Sequence, residues 1–516
     1  MISTNVRRLG TLLLLSFAVV SGALAYWQVV EARNLEPRPD NPEVINAVRS
    51  QPRGSIFDAT GQLLASTTVT DALARRTYTD PHFTHVIGYA SLRFGTTELE
   101  RAWNDVLIGR GDPNPIRDLM SDIFARSPVP RDLTLTIDKR LQDAAGEALA
   151  GNPGAVVALD PRSGAILAMV SSPTFDATPL AADPESAAAP MEGLQADERR
   201  PLLPRAREGR YVPGSIIKVF TAAAALDSGT ITPETTFENQ PREEREGFVV
   251  SGFRITEHDM GGIQPALWDL SPALQVSSNI YFAHVGLELG AERFLEYARR
   301  FGFCQPMAVG PEGRRLDVAT SYVTAEAEDG GCSPFSDDVE LASAAFGQAR
   351  WFVTPFQMAL VAATIANDGR MPDPFVVRSI REHSDSGQPS ERVIDQFEGG
   401  SGRGVVSADT ARQVRSVMVD AVHGELGRHF AGEGNVELYG VSGVRTAGKT
   451  GTAQLGGESA PHSWFIGFAS AQPDAQPQIA IAVLVESGGS GATGAAPLAG
   501  RLMAQWLQQQ SGESGG

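Results

Sequence analysis

Cysteine is almost missing from this chain: two residues, Cys304 and Cys332, in 516. That excludes a disulfide scaffold and a zinc ribbon, which need several thiols at close spacing. There is no HExxH and no CxxC, and the eight histidines are scattered. No metal site is expected, and no cofactor. Positive charge is also short, 43 Lys and Arg against 61 Asp and Glu, for a net charge of −18. Such a field repels phosphate, so nucleic acid is excluded as a partner. An internal repeat and a low-complexity domain are missing; Gly443 to Thr450 spells GxxxxGK[ST], but no helix follows it immediately, as a phosphate loop requires. Long apolar runs are missing as well, with one exception.

That exception is Leu9 to Val30, LGTLLLLSFAVVSGALAYWQVV. At about 1.5 Å per residue it matches the roughly 30 Å hydrocarbon core of a bilayer. Arg7 and Arg8 precede it, and Tyr26 and Trp27 fall where an interfacial belt would lie. The reading is a cytoplasmic N-terminus (1–8), a single transmembrane helix (9–30) in the lipid bilayer, and main domains outside the cytoplasm. Ala23-Leu24-Ala25 resembles a signal-peptide cleavage site, but the apolar run continues past it, which favours an uncleaved anchor. In that compartment Cys304 and Cys332 either form a disulfide or remain two buried thiols.

With 42% hydrophobic and 20% charged residues, the remainder can bury a sizeable core. Glu31 to Val48, with Pro37, Pro39 and Pro42, reads as an extended connector. Two short strand-like runs, Arg53 to Asp58 and Gly61 to Ala65, and a helical spacing through Leu99, Ala102, Trp103 and Val106 suggest a small membrane-proximal domain, 31–150. A larger domain, 151–510, opens near Gly151 on a hairpin, Ala155–Leu159 and Ala165–Val170 about the turn Asp160–Gly164. Asp176 to Arg207 reads as a mobile surface loop, Ser215 to Asp227 as an apolar helix, and 511–516 as a disordered tail. Trp464–Phe468 and Ile479–Val485 are strands, the second apolar on both faces and therefore central. Leu498 to Leu507 closes as a helix. The fold class is α+β: an antiparallel sheet of N- and C-terminal strands flanked by helices, with a helical insert between them.

Three short motifs carry chemistry. In Pro213-Gly214-Ser215-Ile216-Ile217-Lys218, Ser215 and Lys218 are three apart and share a helix face. Pro and Gly mark a helix start, where free N–H groups favour charge on the serine oxygen. A lysine in an apolar setting gives up its proton at low cost and can activate the serine. Ser277-Ser278-Asn279 sets two hydroxyls and an amide in an apolar helical run, or caps a helix–loop junction. Lys449-Thr450-Gly451-Thr452-Ala453 reads as an edge strand that pairs with a peptide-like substrate. Gly451 is taken to leave room for that substrate, with Lys449 and the hydroxyls on its carboxylate.

Each motif is common alone; SxxK, SxN and KTG in this order are not. The sequence resembles class B penicillin-binding proteins, the monofunctional peptidoglycan transpeptidases. Arg53-Gly54-Ser55-Ile56-Phe57-Asp58 with Gly61 and Leu64-Ala65 resembles the family's RGxIxDRxGxxLA box. Ala345-Phe346-Gly347-Gln348, Thr354-Pro355, Gln357-Met358-Ala359 and Ile365-Ala366-Asn367 resemble its GQ…TPLQMA…IAN region, and His462 to Phe468 its strand after KTGTA. Asp40-Asn41-Pro42 and the stretch from His85-Val86-Ile87-Gly88-Tyr89 to Asn104-Asp105 are most similar to the actinobacterial penicillin-binding protein A branch. Departures are Ala59, where the box usually has Arg, and Ile216-Ile217, where a small residue or Thr and an aromatic are usual.

The resemblance implies a penicillin-binding transpeptidase domain of the serine β-lactamase-like fold on a pedestal domain of the dimerisation type. It implies Ser215 as nucleophile toward D-alanyl-D-alanine stem peptides of peptidoglycan, Lys218 as general base held by Asn279, and Ser277 as proton relay. Lys449, Thr450 and Thr452 would hold the terminal carboxylate, with Gly451 beside them in the substrate-binding strand, and the N–H groups of Ser215 and Thr452 would form the oxyanion hole. β-Lactams would acylate Ser215. A SEDS-family glycosyltransferase is the implied partner. The alternatives are a D,D-carboxypeptidase, a β-lactamase, and an idle β-lactam sensor or polymerase scaffold; the intact motifs and the matched box argue against them.

Overall fold

The structure, a computed structural model, describes residues 2–26, 50–70, 73–110, 129–400, 402–454, 456, 459–472 and 475–513. The expected connector and Trp27 to Val30 lie outside them. Helix α1 (Ile2–Ala25) leaves Leu12, Leu13, Leu14, Leu15, Phe17 and Val19 exposed. Among the described residues no helix is long and apolar enough to cross a membrane, so the crossing expected for 9–30 is not shown.

The pedestal is built on a six-stranded sheet. Strands β1 (Ile56–Phe57), β2 (Leu63–Thr70), β3 (Leu73–Tyr78) and β4 (Arg131–Leu135) come from the first part of the chain. The sheet is completed from far downstream by β7 (Val377–Glu382) and β8 (Val393–Gln396), in the order β8-β7-β4-β1-β2-β3. Ile380 stands opposite Leu133 across the β7–β4 pair. The box residues hold this unit together. Asp58 accepts from the N–H groups of Thr60, Gln62 and Lys139, the last at 3.0 Å, and so ties the turn to the next helix. Arg53 and Arg76 both reach Glu100, which is fully buried.

The second unit is a five-stranded antiparallel sheet. Its strands are β5 (Gly154–Leu159), β6 (Ile166–Ser172), β9 (Ala447–Ala453), β10 (His462–Ala469) and β11 (Ile479–Val485), in the order β9-β10-β11-β5-β6. The expected hairpin, central strand and edge strand are all in place. Period-two alternation sends successive residues to opposite faces. Ala155, Val157, Ala480, Ala482 and Leu484 join one core with α5 (Pro355–Ala366), whose twelve residues are all buried. Val156, Ala158, Ile481 and Val483 join another with α2 (Lys139–Leu149) and α6 (Ala495–Glu513). Packing on this sheet therefore begins with α2, ahead of Gly151.

Two expectations are corrected. Asp176 to Arg207 is not a loose loop: it contains a helix over Ala188–Ala196 and ends on Arg205 and Arg207, both almost fully buried. Arg205 pairs with Glu486 at 2.6 Å, and Arg207 with Glu98 and the Asp317 carbonyl, all distant in sequence. The tail is helical through Glu513, because α6 carries its apolar face along the sheet; 514–516 lie outside the described residues. Cys304 and Cys332 form a disulfide spanning 28 positions. Its reduction is expected to cost about 3 kcal/mol through the freed loop. A denaturant midpoint compared with and without reductant reads this, and an unchanged midpoint would contradict it.

Candidate active site

Gly214–Ile217 make one turn of 3-10 helix that runs into α3 (Lys218–Asp227), so Ser215 stands at a helix entry. The turn is held from three sides. Tyr211 and Val353 exchange both main-chain hydrogen bonds at 2.9 Å. Gly214 N–H donates to the Gly347 carbonyl at 3.1 Å, and the Trp464 indole N–H to the Val212 carbonyl at 3.0 Å. Gly347, in the GQ segment, has φ +94°, and a Cβ there would lie 1.8 Å from the Gly214 oxygen, which only glycine avoids. Ile216 and Ile217 are fully buried against Gly451 and Gly347, so these departures from the family pattern pack beneath the turn instead of lining the cavity.

The SxN motif sits between a short helix, Leu270–Gln275, and α4 (Asn279–Leu289), a junction rather than a helix interior. Ser277 has φ +61°, an uncommon conformation for a residue with a side chain and one that costs of order 1–3 kcal/mol. The Ser278 hydroxyl caps α4 by accepting from Tyr281 N–H. This bend delivers Ser277 and Asn279 to the lysine. Lys218 Nζ lies 3.1 Å from Ser215 Oγ, 3.1 Å from Ser277 Oγ and 2.8 Å from Asn279 Oδ1, and also reaches the Ser277 carbonyl. It is completely buried, with the Phe282 ring 5.8 Å away.

Strand β9 brings the third motif alongside. Lys449 is buried and donates to the Thr450 carbonyl at 3.0 Å, while Thr450 and Thr452 line the cavity with Ser215, Ser277 and Asn279. The reason expected for Gly451 is corrected. A Cβ there would meet the Pro213 oxygen at 2.9 Å and Ile216 at 3.0 Å, so the glycine lets the strand pack on the nucleophile turn. The cavity measures about 820 Å³.

Burial pushes Lys218 down to about 7, opposed by the charge of Glu257. Burial and the neighbouring Lys218 hold Lys449 well below the usual lysine range. From its ordinary value down to about 7, the unfolded chain holds a proton on Lys218 that the folded chain does not. Stability therefore rises with pH across that window, and the site is maintained at some cost to the fold near neutrality. An unprotonated amine with two N–H bonds toward the Ser277 carbonyl and Asn279 has its lone pair free for the Ser215 hydroxyl proton. The arrangement can generate a serine nucleophile without histidine or metal.

Three further residues were not found from sequence. Glu257 accepts from Asn279 N–H at 2.8 Å and Ile280 N–H at 3.1 Å, His258 lines the cavity, and Glu244 bonds Ser278 at 2.7 Å. Glu257 and His258 lie in an irregular segment with no periodicity, about twenty positions before the motif they serve. Among the described residues one group has metal-ligand geometry, Asp80, His82 and Asp143, and Lys139 Nζ already occupies it, bonded to both carboxylates.

Comparison with known proteins gives a consistent result. Residues 154–504 match the penicillin binding protein transpeptidase domain, and 53–130 the penicillin binding protein A dimerisation domain. The chain is 34% identical to the peptidoglycan D,D-transpeptidase PbpA of Mycolicibacterium smegmatis, covering 99% of this chain and 100% of that protein. It is also 34% identical to the Mycobacterium tuberculosis PbpA over 98% of each. The ceftriaxone acyl-enzyme structure of penicillin-binding protein A from M. tuberculosis superposes with a TM-score of 0.75 at 32% identity, over 89% of this chain and 98% of that one.

Proposed function

The chain belongs to the penicillin-binding protein transpeptidase family and is a peptidoglycan D,D-transpeptidase, and on that premise we propose that Ser215 is its nucleophile and Lys218 its general base. The observation that carries this reading is the fully buried Lys218 amine, 3.1 Å from Ser215 Oγ and held by Asn279 and Ser277. Lys218 takes the Ser215 proton as Oγ attacks the penultimate carbonyl of a stem peptide ending in D-Ala-D-Ala. The N–H groups of Ser215 and Thr452 hold the oxygen of the tetrahedral intermediate. Collapse breaks the amide C–N bond, Ser277 passes a proton to the leaving D-alanine, and an acyl-enzyme remains. An amine of a second stem peptide then attacks the ester carbon, gives its proton back along the same route, and frees Ser215 with a new cross-link.

Two like charges, Lys218 and Lys449, are not held together in a buried site. A terminal carboxylate on Thr450 and Thr452 supplies the anion that lets Lys449 take up its proton, and so couples substrate binding to the charge of the site. A β-lactam presents the same carboxylate and acylates Ser215. We further propose that α1 continues as the membrane anchor, that 31–150 is a pedestal facing a SEDS-family glycosyltransferase, and that catalysis is extracytoplasmic. Leucines exposed along α1 support the first of these.

The test uses the chain from about residue 31 onward, a fluorescent penicillin, and a D-Ala-D-Ala donor with an amine acceptor peptide. The expected result is one stable adduct on the peptide carrying Ser215, with D-alanine release and cross-linked product in step. An adduct elsewhere, or none in folded protein, overturns the nucleophile. D-alanine release without cross-linking at saturating acceptor makes the protein a carboxypeptidase.

A further inference from the structure

Behind the SxN motif lies a proton count that does not balance if every acid is ionised. Ser278 Oγ is 2.7 Å from Glu244 Oε1 and 3.0 Å from Glu257 Oε2. Its acceptor side already takes Tyr281 N–H at 3.1 Å. A hydroxyl has one proton and can donate to one carboxylate. Glu257 has four donors: the N–H groups of Asn279, His258 and Ile280 at 2.8, 3.0 and 3.1 Å, and the Ser278 hydroxyl. Four donors around one carboxyl leave it purely an acceptor, at the N-terminus of α4 where the helix dipole favours negative charge. The additional proton then belongs on Glu244. Burial, and to a lesser degree the charge of Glu257, push Glu244 up, while Gln240 and Trp268 donate to its two oxygens at 2.8 and 3.0 Å. The chain runs from the Glu244 carboxyl to the Ser278 hydroxyl to the Glu257 carboxylate.

We propose that Glu257 is a positioning residue for acylation: its carboxylate, bonded by the Ser278 hydroxyl that Glu244 backs, clamps the start of α4 so that Asn279 meets Lys218, and sets one negative charge behind the base. The proposal rests on the reading of Lys218 as that base. The other charged or titratable groups facing these two are Lys449, near enough to Lys218 to feel its charge, and His258, next to Glu257 on the cavity wall. His258 is driven toward its neutral form by burial and by Lys218. Glu257 is thus the anion that opposes desolvation of the base.

The experiment is the second-order acylation constant with a fluorescent penicillin between pH 5 and 9, for wild type, Glu257→Gln and Glu257→Asp, with a thermal melt of each. In Glu257→Gln the acid limb is expected to move down by about one pH unit, because the variant loses the anion that keeps a proton on Lys218. Glu257→Asp keeps the charge at a poorer distance, so its rate falls at all pH values while the limb stays with wild type. A merely structural Glu257 lowers the rate equally across the range. An unmoved limb in folded Glu257→Gln, or a displaced limb in Glu257→Asp, overturns the proposal, and the second outcome decides if the glutamine variant does not fold. Wild type that forms no adduct fails the reading of Lys218 first, and the proposal with it.

Discussion

Replacing Lys218 by methionine lowers the β-lactam acylation constant by about three to four orders of magnitude, the worth of a positioned base acting on an otherwise weak serine nucleophile. Methionine has nearly the length of the lysine stem and suits a site with 0% exposure beside the Phe282 ring. The melting temperature at pH 7 is expected to move little, for two opposed reasons. The wild-type fold strips a proton from this amine near neutrality, and the variant is free of that cost. The Ser277 carbonyl and Asn279 Oδ1 lose a donor, which costs about 1–3 kcal/mol for each buried acceptor left unpaired. Stopped-flow acylation and a thermal melt on one preparation read both. An acylation constant within tenfold of wild type would remove Lys218 from the base role.

The largest stability effect is expected far from the cavity, at Glu100. This carboxylate has 0% exposure and accepts from Arg53 Nε at 2.9 Å, Arg76 Nε at 2.7 Å and the Tyr78 hydroxyl at 3.2 Å. Glu100→Ala leaves the Arg76 guanidinium buried without its partner, which costs about 3–5 kcal/mol. Burial alone would raise the Glu100 carboxyl, but Arg76 and Arg53 outweigh it and hold it below the usual carboxylate range. Its contribution is therefore complete above the unfolded-state value and is lost as pH falls through the lower folded one. Denaturant midpoints at pH 7 and pH 4 should differ less in the variant than in wild type. A midpoint at pH 7 that corresponds to less than about 1 kcal/mol of loss would contradict this, since it falls outside the range for broken buried pairs.

What could be read from the sequence was local. The hairpin about Asp160–Gly164, the all-apolar central strand Ile479–Val485 and the edge strand Ala447–Ala453 follow from alternation and turn residues over a few positions. The three motifs name Ser215, Lys218, Ser277 and Asn279, and the structure brings those four side chains within hydrogen-bond distance. What could not be read was remote pairing. Val377–Glu382 gives no sign that its partner is Arg131–Leu135. Arg205 and Arg207 look like loop residues in a stretch rich in Ala, Glu and Arg, until Glu486 and Glu98 are seen to neutralise them. Glu257 escaped for the same reason: its partners are main-chain N–H groups, which carry no signature in sequence.

The late arrival of Val377–Glu382 also has a meaning in time. During synthesis the Arg131–Leu135 strand emerges with one flank open, and the strand that closes it is made more than two hundred residues later. At about 5–20 residues per second that is a delay of order ten seconds or more. Until then the nascent pedestal presents a row of unpaired N–H and C=O groups to any extended chain nearby. The pedestal can be completed only after most of the catalytic domain exists. A truncation ending before residue 377 thus keeps only four of the sheet's six strands and is not a free-standing module.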